Sequence, residues 1–249
     1  MHLRYVKKLL EGNLKAAYDL HIHSALSPCA DNDMTPNNIV NMSILKGLDI
    51  IAVTDHNTCA NVQAVYSCGL KSGLLVIPAM ELETAEEIHV VCLFPDVESS
   101  VGFQKLVHSK LPDIINKEEI FGQQLVINEF DEVVGKESRL LLNAASITIN
   151  EAFDTVNKLG GLLIPAHIDR PSNSILASFG LMPEDIDIRC VEISSREREN
   201  GVIAKEPGIR RIYSSDAHYL GNINERENFL EIEGLSARHV IDTLSSRNV

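Results

Sequence analysis

Positive charge is what this 249-residue chain has least of: 22 Lys+Arg stand against 35 Asp+Glu, a net of −13. A broad duplex-binding surface needs clustered lysine and arginine, so the balance predicts no stable duplex nucleic acid as partner. A small anionic substrate stays open, because bound cations reverse the field locally. The five cysteines form no CxxC pair, which argues against a disulfide framework and for a reducing cytoplasm. No apolar run approaches the ~18 residues of a membrane span. The N-terminal stretch MHLRYVKKLLEGNLKAA reads as a short amphipathic helix without an uninterrupted apolar segment. The expectation is a soluble cytoplasmic protein with no membrane partner. A GxSxG elbow, a GxxxxGK[ST] loop, internal repeats and low-complexity tracts are all absent, so neither a serine-hydrolase triad nor a P-loop is indicated.

What is present is globular: 45% hydrophobic and 23% charged residues suit one large domain spanning 1–249. Short β-rich runs alternate with helical stretches. Strands are predicted at 16–23, 48–56, 74–83, 89–94, 162–168, 190–195, 209–218 and 228–234. Most are continuously apolar, as parallel strands covered on both faces are. Helices are predicted at 35–47, with Thr35 as N-cap, Pro36 at N1 and Gly47 as stop, and near 58–71, 99–115, 148–159 and 236–246. The alternation predicts an α/β fold with a closed or nearly closed parallel barrel. The stretch 96–143 breaks the rhythm and reads as an insertion, with a helical part and a small hairpin turning near Asp131 and Glu132.

Six of the nine histidines sit at or beside strand ends, with carboxylates among them: His21 and His23 in DLHIH, His56 in VTDH, His89 in IHVVCLF, His167 in LLIPAH, and Asp216 with His218 in SSDAH; Glu81 follows LLVIPAM. Imidazole and carboxylate bind borderline divalent metals. Two histidines two apart on a strand share one face and can reach one ion. Isolated, His89 would more often be a hydrogen-bonded histidine, but the joint pattern at strand ends points to a metal cluster. His2, His108 and His239 have no such context and read as surface or helix histidines.

DLHIH, TDHNT, the glutamate of MELET, the histidine of EIHVVCLF, LIPAH and SDAH occur in an order that resembles the PHP family (polymerase and histidinol phosphatase domains), from about Asp19 to His218. The resemblance implies a distorted (β/α)7 barrel and a metal-dependent phosphoesterase with two or three divalent ions (Zn, Mn or Fe). It implies that His21, His23 and Asp216 hold one metal and that Glu81 bridges to a second, completed by His89 and His167. His56 and His218 would hold a third, with a ligand from the loop SALSPCADNDMTP. Counting back from the helix start, Asp31 matches best, with Asp33 and Cys29 as alternatives; Asp33 could instead help cap the helix.

Three ions would bring +6 against −3 from Asp31, Glu81 and Asp216, leaving a centre that attracts phosphate. His21, His23, Glu81 and Asp216 would carry catalysis by presenting a metal-activated hydroxide to phosphorus. Arg170 and Arg196 are candidate phosphate grips; Arg198 is of the same kind. Asp19, more than Asp55, is placed to orient an imidazole. The expected substrate is a small phosphorylated metabolite or nucleotide. Alternatives are a 3'-5' exonuclease on single-stranded ends, an amidohydrolase-type enzyme (though no lysine sits at a mid-chain strand end), and a non-catalytic regulatory module.

Overall fold

The computed structural model describes residues 14–194, 196 and 208–246. His2, Arg198 and most of the expected N-terminal helix lie outside them. Residues 14–17 of that expected helix belong instead to the first strand, β1 (Leu14–Ile22), seven of whose nine residues are buried. Next come α1 (Pro36–Leu45), β2 (Ile50–Val53), α2 (Val62–Ser72), β3 (Leu75–Glu83), β4 (His89–Leu93), α3 (Val97–Lys110) and α4 (Glu118–Phe121). They are followed by β5 (Leu125–Ile127), β6 (Val133–Lys136), α5 (Ile149–Lys158), β7 (Leu162–Pro165), α6 (Ile175–Phe179), β8 (Cys190–Glu192), β9 (Arg210–Ile212), β10 (Phe229–Ile232) and α7 (Ala237–Ser245).

Six strands form one sheet in the order β10-β1-β2-β3-β4-β7, and β8 pairs with β9. The curl continues through single contacts. Ile168 N–H donates to Glu192 O across β7 and β8 (3.0 Å), and His23 N–H donates to Ala217 O beyond β9 (2.9 Å). Seven strands thus line a distorted barrel, with β10 added outside β1. The pairing is mixed rather than parallel throughout: β1-β2, β2-β3 and β8-β9 are parallel, whereas β3-β4, β4-β7 and β10-β1 are antiparallel. Burial on both faces makes a strand continuously apolar whichever way it runs, so the apolar pattern could not reveal direction.

Tyr18, Leu20, Ala52, Ile77, Val91, Leu93, Ile164 and Ile212 fill one core together with α7 residues Val240, Ile241 and Leu244. A second core, containing Ile39, Val40, Val65 and Cys68, lies under α1 and α2. A third gathers Met80, Leu82, Phe94, Phe103 and Val107. Phe103 and Val107 belong to α3, so the first helix of the 96–143 stretch is part of the main core. Beyond it, the β5-β6 hairpin turns through Asp131, at φ 61°. The hairpin is tied down by Leu125 N–H donating to Ala25 O (2.9 Å) and by Asn61 Nδ2 donating to Leu125 O (3.0 Å). Asp96, Thr148 and Ser236 cap α3, α5 and α7 through their side chains. Thr35 stands at the N-cap of α1 with Pro36 following, but its side chain makes no capping bond. No helix among the described residues is long and apolar enough to cross a membrane.

Candidate metal centre

β1, β2, β3, β4 and β7 each deliver an imidazole or carboxylate to one point. Two of the residues at this point stand on left-handed backbone, His167 at φ 29° and Asp216 at φ 51°. Such strain persists where surrounding structure over-determines it and is concentrated at functional sites. Glu81, 1% exposed, is the hub. Its Oε1 lies 3.3 Å from His21 Nε2, 2.9 Å from His89 Nδ1 and 3.3 Å from His167 Nε2. Its Oε2 lies 3.3 Å from His23 Nε2 and 2.9 Å from His56 Nδ1. Asp216 Oδ1 is 3.0 Å from His23 Nε2 and 3.3 Å from His21 Nε2, and those two imidazole nitrogens are 3.2 Å apart.

Hydrogen bonding on the far side of each ring fixes where the protons are. His21 Nδ1 is 2.9 and 3.1 Å from the two oxygens of Glu192; a carboxylate only accepts, so Nδ1–H donates and Nε2 presents a lone pair. Ser27 Oγ–H donates to Asp55 Oδ1 (2.8 Å) and so accepts from His23 Nδ1–H (2.9 Å), leaving His23 Nε2 a lone pair too. His218 Nδ1–H donates to Asp216 O (2.8 Å). In their neutral forms, then, His21 and His23 turn Nε2 lone pairs toward the two oxygens of Glu81 and Oδ1 of Asp216. Neighbouring atoms in this group lie 3.0–3.3 Å apart, with Glu81 offering Oε1 to His21 and Oε2 to His23, close to the ~3.3 Å separation of two ligand atoms that share a tetrahedral ion at about 2.0 Å. Glu81 Oε2 is buried without a hydrogen-bond partner. The residues fit a divalent cation.

Among the described residues, ligand atoms within 4.8 Å of one another form three such groups: His21, His23, Glu81 and Asp216; His56, Glu81 and His89; and His23, His56 and His218. His56 thus joins both the Glu81–His89 group and the His218 group. His167 adjoins Glu81 but completes no group. Asp31 is in none of them. Its Oδ1 accepts from Asp33 N–H (2.8 Å), and Asp33 is exposed. From the same loop, Cys29 Sγ instead lies 3.1 Å from His218 Nε2.

Without a cation the charges redistribute. Burial opposes a charge on His21, but the Glu192, Glu81 and Asp216 carboxylates hold its pKa well above the usual histidine value. Burial likewise opposes a charge on His23, which Asp216 and Glu81 push up to about 9. Burial holds His56 and His218 down to about 4, each with the charge of His23 against it. Burial favours protonation of Glu81, yet the charges of His89, His21 and His56 keep it well below the carboxylate range. Burial also opposes ionisation of Asp216, and His21 and His23 outweigh it, lowering its pKa.

Asp19 touches no imidazole: its oxygens accept from Ser215 N–H (3.0 Å) and Asn224 N–H (2.9 Å) and so tie down the segment carrying Asp216. Asp55 acts on His23 through Ser27 and also binds Ser24. Arg170 Nη1 donates to Asp216 Oδ2 at 2.7 Å. The Arg196 guanidinium lies 3.9 Å over the Tyr213 ring and donates to Asn228 (2.7 Å). Sequence reasoning missed Glu192, although a carboxylate inside the apolar run CVEISS carried the signal that marked Glu81. His239 Nδ1 pairs with Ser236 in the cap of α7, and His108 lies on α3.

The PHP domain family model matches residues 19–160, more than half of the chain. The chain belongs to the PHP domain family. This PHP domain protein is 34% identical over 94 residues to the 5'-3' exoribonuclease Rnm of Salmonella typhimurium, a match covering 36% of this chain and 31% of the relative. Its fold is similar to that of a lesion-specific endonuclease from Pyrococcus furiosus (TM-score 0.70, 20% identity, 93% of this chain and 56% of the other). It also resembles endonuclease Q in complex with a 27-mer duplex bearing an abasic lesion (TM-score 0.67, 18% identity, 95% and 58%). At these identities the structural likeness establishes the fold. The chain spans about a third of the exoribonuclease and under two thirds of the endonucleases. The PHP domain and a His/Glu/Asp centre that fits a divalent cation thus occur together in this chain.

These relatives correct one expectation. The acidic total pointed to a small phosphorylated substrate and away from duplex nucleic acid, but a relative is named a 5'-3' exoribonuclease and a protein of similar fold is an endonuclease held with a 27-mer duplex substrate. Net charge averages over the whole surface, whereas attraction for a phosphodiester at the reacting point is set by the local field, to which bound cations contribute most.

Proposed function

We propose that this PHP protein is a nuclease that hydrolyses phosphodiester bonds at a centre of two or three Zn, Mn or Fe ions. The observation that carries the proposal is the convergence of buried His21, His23, Glu81 and Asp216 side chains with their donor atoms 3.0–3.3 Å apart. The nucleolytic relatives support phosphodiester over other bonds. His21, His23, Asp216 and Glu81 would hold one cation; Glu81 would bridge to a second held with His56 and His89, with His167 alongside. Once bound, the cations supply Lewis-acid stabilisation of phosphoryl charge and activation of water. The chain's own contribution is orientation. Glu192 fixes His21, and the Asp55–Ser27 pair fixes His23. Arg170 anchors Asp216 and, being part-exposed, keeps further N–H donors for a phosphate oxygen. Five free cysteines support residence in a reducing cytoplasm.

The test uses metal-stripped protein reloaded with Mn, Zn or Fe and offered 5'-phosphorylated RNA and duplex DNA with an abasic site. The expected result is cleavage of at least one, lost with chelator and in His21→Ala. Metal-replete protein that cleaves neither would overturn the proposal.

A further inference from the structure

A chain of hydrogen bonds runs from the β5-β6 hairpin to one histidine of the metal centre. Its side chains, Asn61, Ser24, Asp55, Ser27 and His23, are all fully buried. Asn61 stands at the N-cap of α2, where an asparagine side chain ordinarily accepts from the first N–H groups of the helix, yet it makes no capping bond. Its amide is turned away from the helix instead. Oδ1 accepts from Ile127 N–H (2.9 Å), and Nδ2 donates to Leu125 O and to Ser24 Oγ (both 3.0 Å). A backbone N–H only donates and a backbone C=O only accepts, so the two contacts with β5 fix which end of the amide is oxygen.

The direction of the remaining links follows. The Asp55 carboxylate accepts from Ser24 N–H (2.8 Å), Ser24 Oγ–H (2.6 Å) and Ser27 Oγ–H (2.8 Å). Each hydroxyl has a single proton. Ser24 Oγ therefore receives the Asn61 N–H, and Ser27 Oγ receives Nδ1–H of His23 (2.9 Å). Asp55 is the common acceptor, with His23 on one side and Asn61 and β5 on the other. Burial keeps water from replacing a broken link, so a shift at Asn61 leaves a polar atom underpaired at Ser24 and loosens the partner that aims His23.

We propose that Asn61 is a positioning residue of the metal centre: through Ser24, Asp55 and Ser27 it couples the seating of the hairpin to the aim of His23 Nε2. Coupling of this kind is reciprocal. A seated hairpin raises the affinity of the inner site for a cation, and a bound cation holds the hairpin more firmly on α2. The inference rests on His23 holding a cation and is independent of which bond is cleaved.

Two measurements on the metal-stripped full chain test it: zinc titration against a competing chelator, and hydrogen exchange with and without zinc. Ser24→Ala cuts the chain while leaving the bonds of Asn61 to Leu125 and Ile127 in place; Asn61→Ala removes those as well. Each is expected to weaken zinc binding by roughly 2–30-fold, the span of coupling through such networks. The double variant should be no weaker than the worse single one, because both cut the same chain. In the wild type zinc should slow exchange in β5 more than in β10, outside β1, and Ser24→Ala should abolish that excess. If Asn61 merely holds the hairpin, Asn61→Ala would speed β5 exchange equally with and without zinc and leave zinc affinity unchanged, which would overturn the proposal. So would losses of affinity that multiply in the double variant, or zinc that binds without slowing β5 beyond β10. A wild type that binds no zinc would overturn the metal-centre reading and this inference with it, whereas coupling in a protein that cleaves no nucleic acid would overturn the nuclease reading alone.

Discussion

Glu81 places two oxygens among five imidazoles at 2.9–3.3 Å, and the rings are aimed by groups on their far sides. Glu192 is the clearest of these. Removing its charge while keeping an acceptor (Glu192→Gln) should lower metal affinity by roughly 10–100-fold, the usual effect of losing an outer partner of a ligating histidine, with the fold retained; competitive chelator titration reads it. The pH dependence follows from His23, whose pKa is raised from 6.5 to about 9. Its contribution to the stability of metal-free protein is fully present below pH 6.5 and lost as pH rises through about 9. A cation competes with that proton, so apparent metal affinity should climb over the same interval, and binding at about pH 7.5 should release protons. Calorimetry in two buffers of different ionisation enthalpy measures the release; none would contradict the raised pKa of His23. Histidines at strand ends were legible because few other roles recur at that position. Glu192 was passed over although it sits inside an apolar run as Glu81 does, because its role shows only in the contact with His21.

At the scale of elements, the β5-β6 hairpin and the short helix before it brace the loop that carries Cys29. Gly122 (φ 99°) is the point of closest approach: a Cβ there would meet Pro28 O at 2.1 Å. Gly122→Ala should cost about 1–3 kcal/mol and displace the loop. Gly180→Ala, at φ 75° with open space around it, should cost only ~1 kcal/mol. Urea unfolding of the two variants checks the difference, and equal costs would show that the approach to Pro28 is not restrictive. Strand positions were readable from apolar runs bounded by polar residues, to within a few residues at each end. Strand direction was not, nor was the packing of α3 on the core, because Phe103 and Val107 are too few to stand out in a polar helix.

At the scale of the whole molecule, an acidic chain concentrates imidazole and carboxylate at one end of a barrel and leaves the centre's sign to be set by cations. Metal should therefore stabilise the fold as well as activate it. At 100 times Kd a site-specific ligand adds about 2.7 kcal/mol, which for a chain of this length corresponds to roughly 5–10 °C in Tm. Chelation should reverse the gain in a thermal melt, and Glu81→Ala should abolish it. The substrate class was the part least legible, since composition reports the average surface and not the reacting point.

The most direct test is anomalous diffraction from crystals of zinc- or manganese-loaded protein. The account predicts peaks in contact with Glu81, one of them ringed by His21, His23 and Asp216. Metal-replete crystals with no anomalous peak within bonding distance of Glu81 would contradict it.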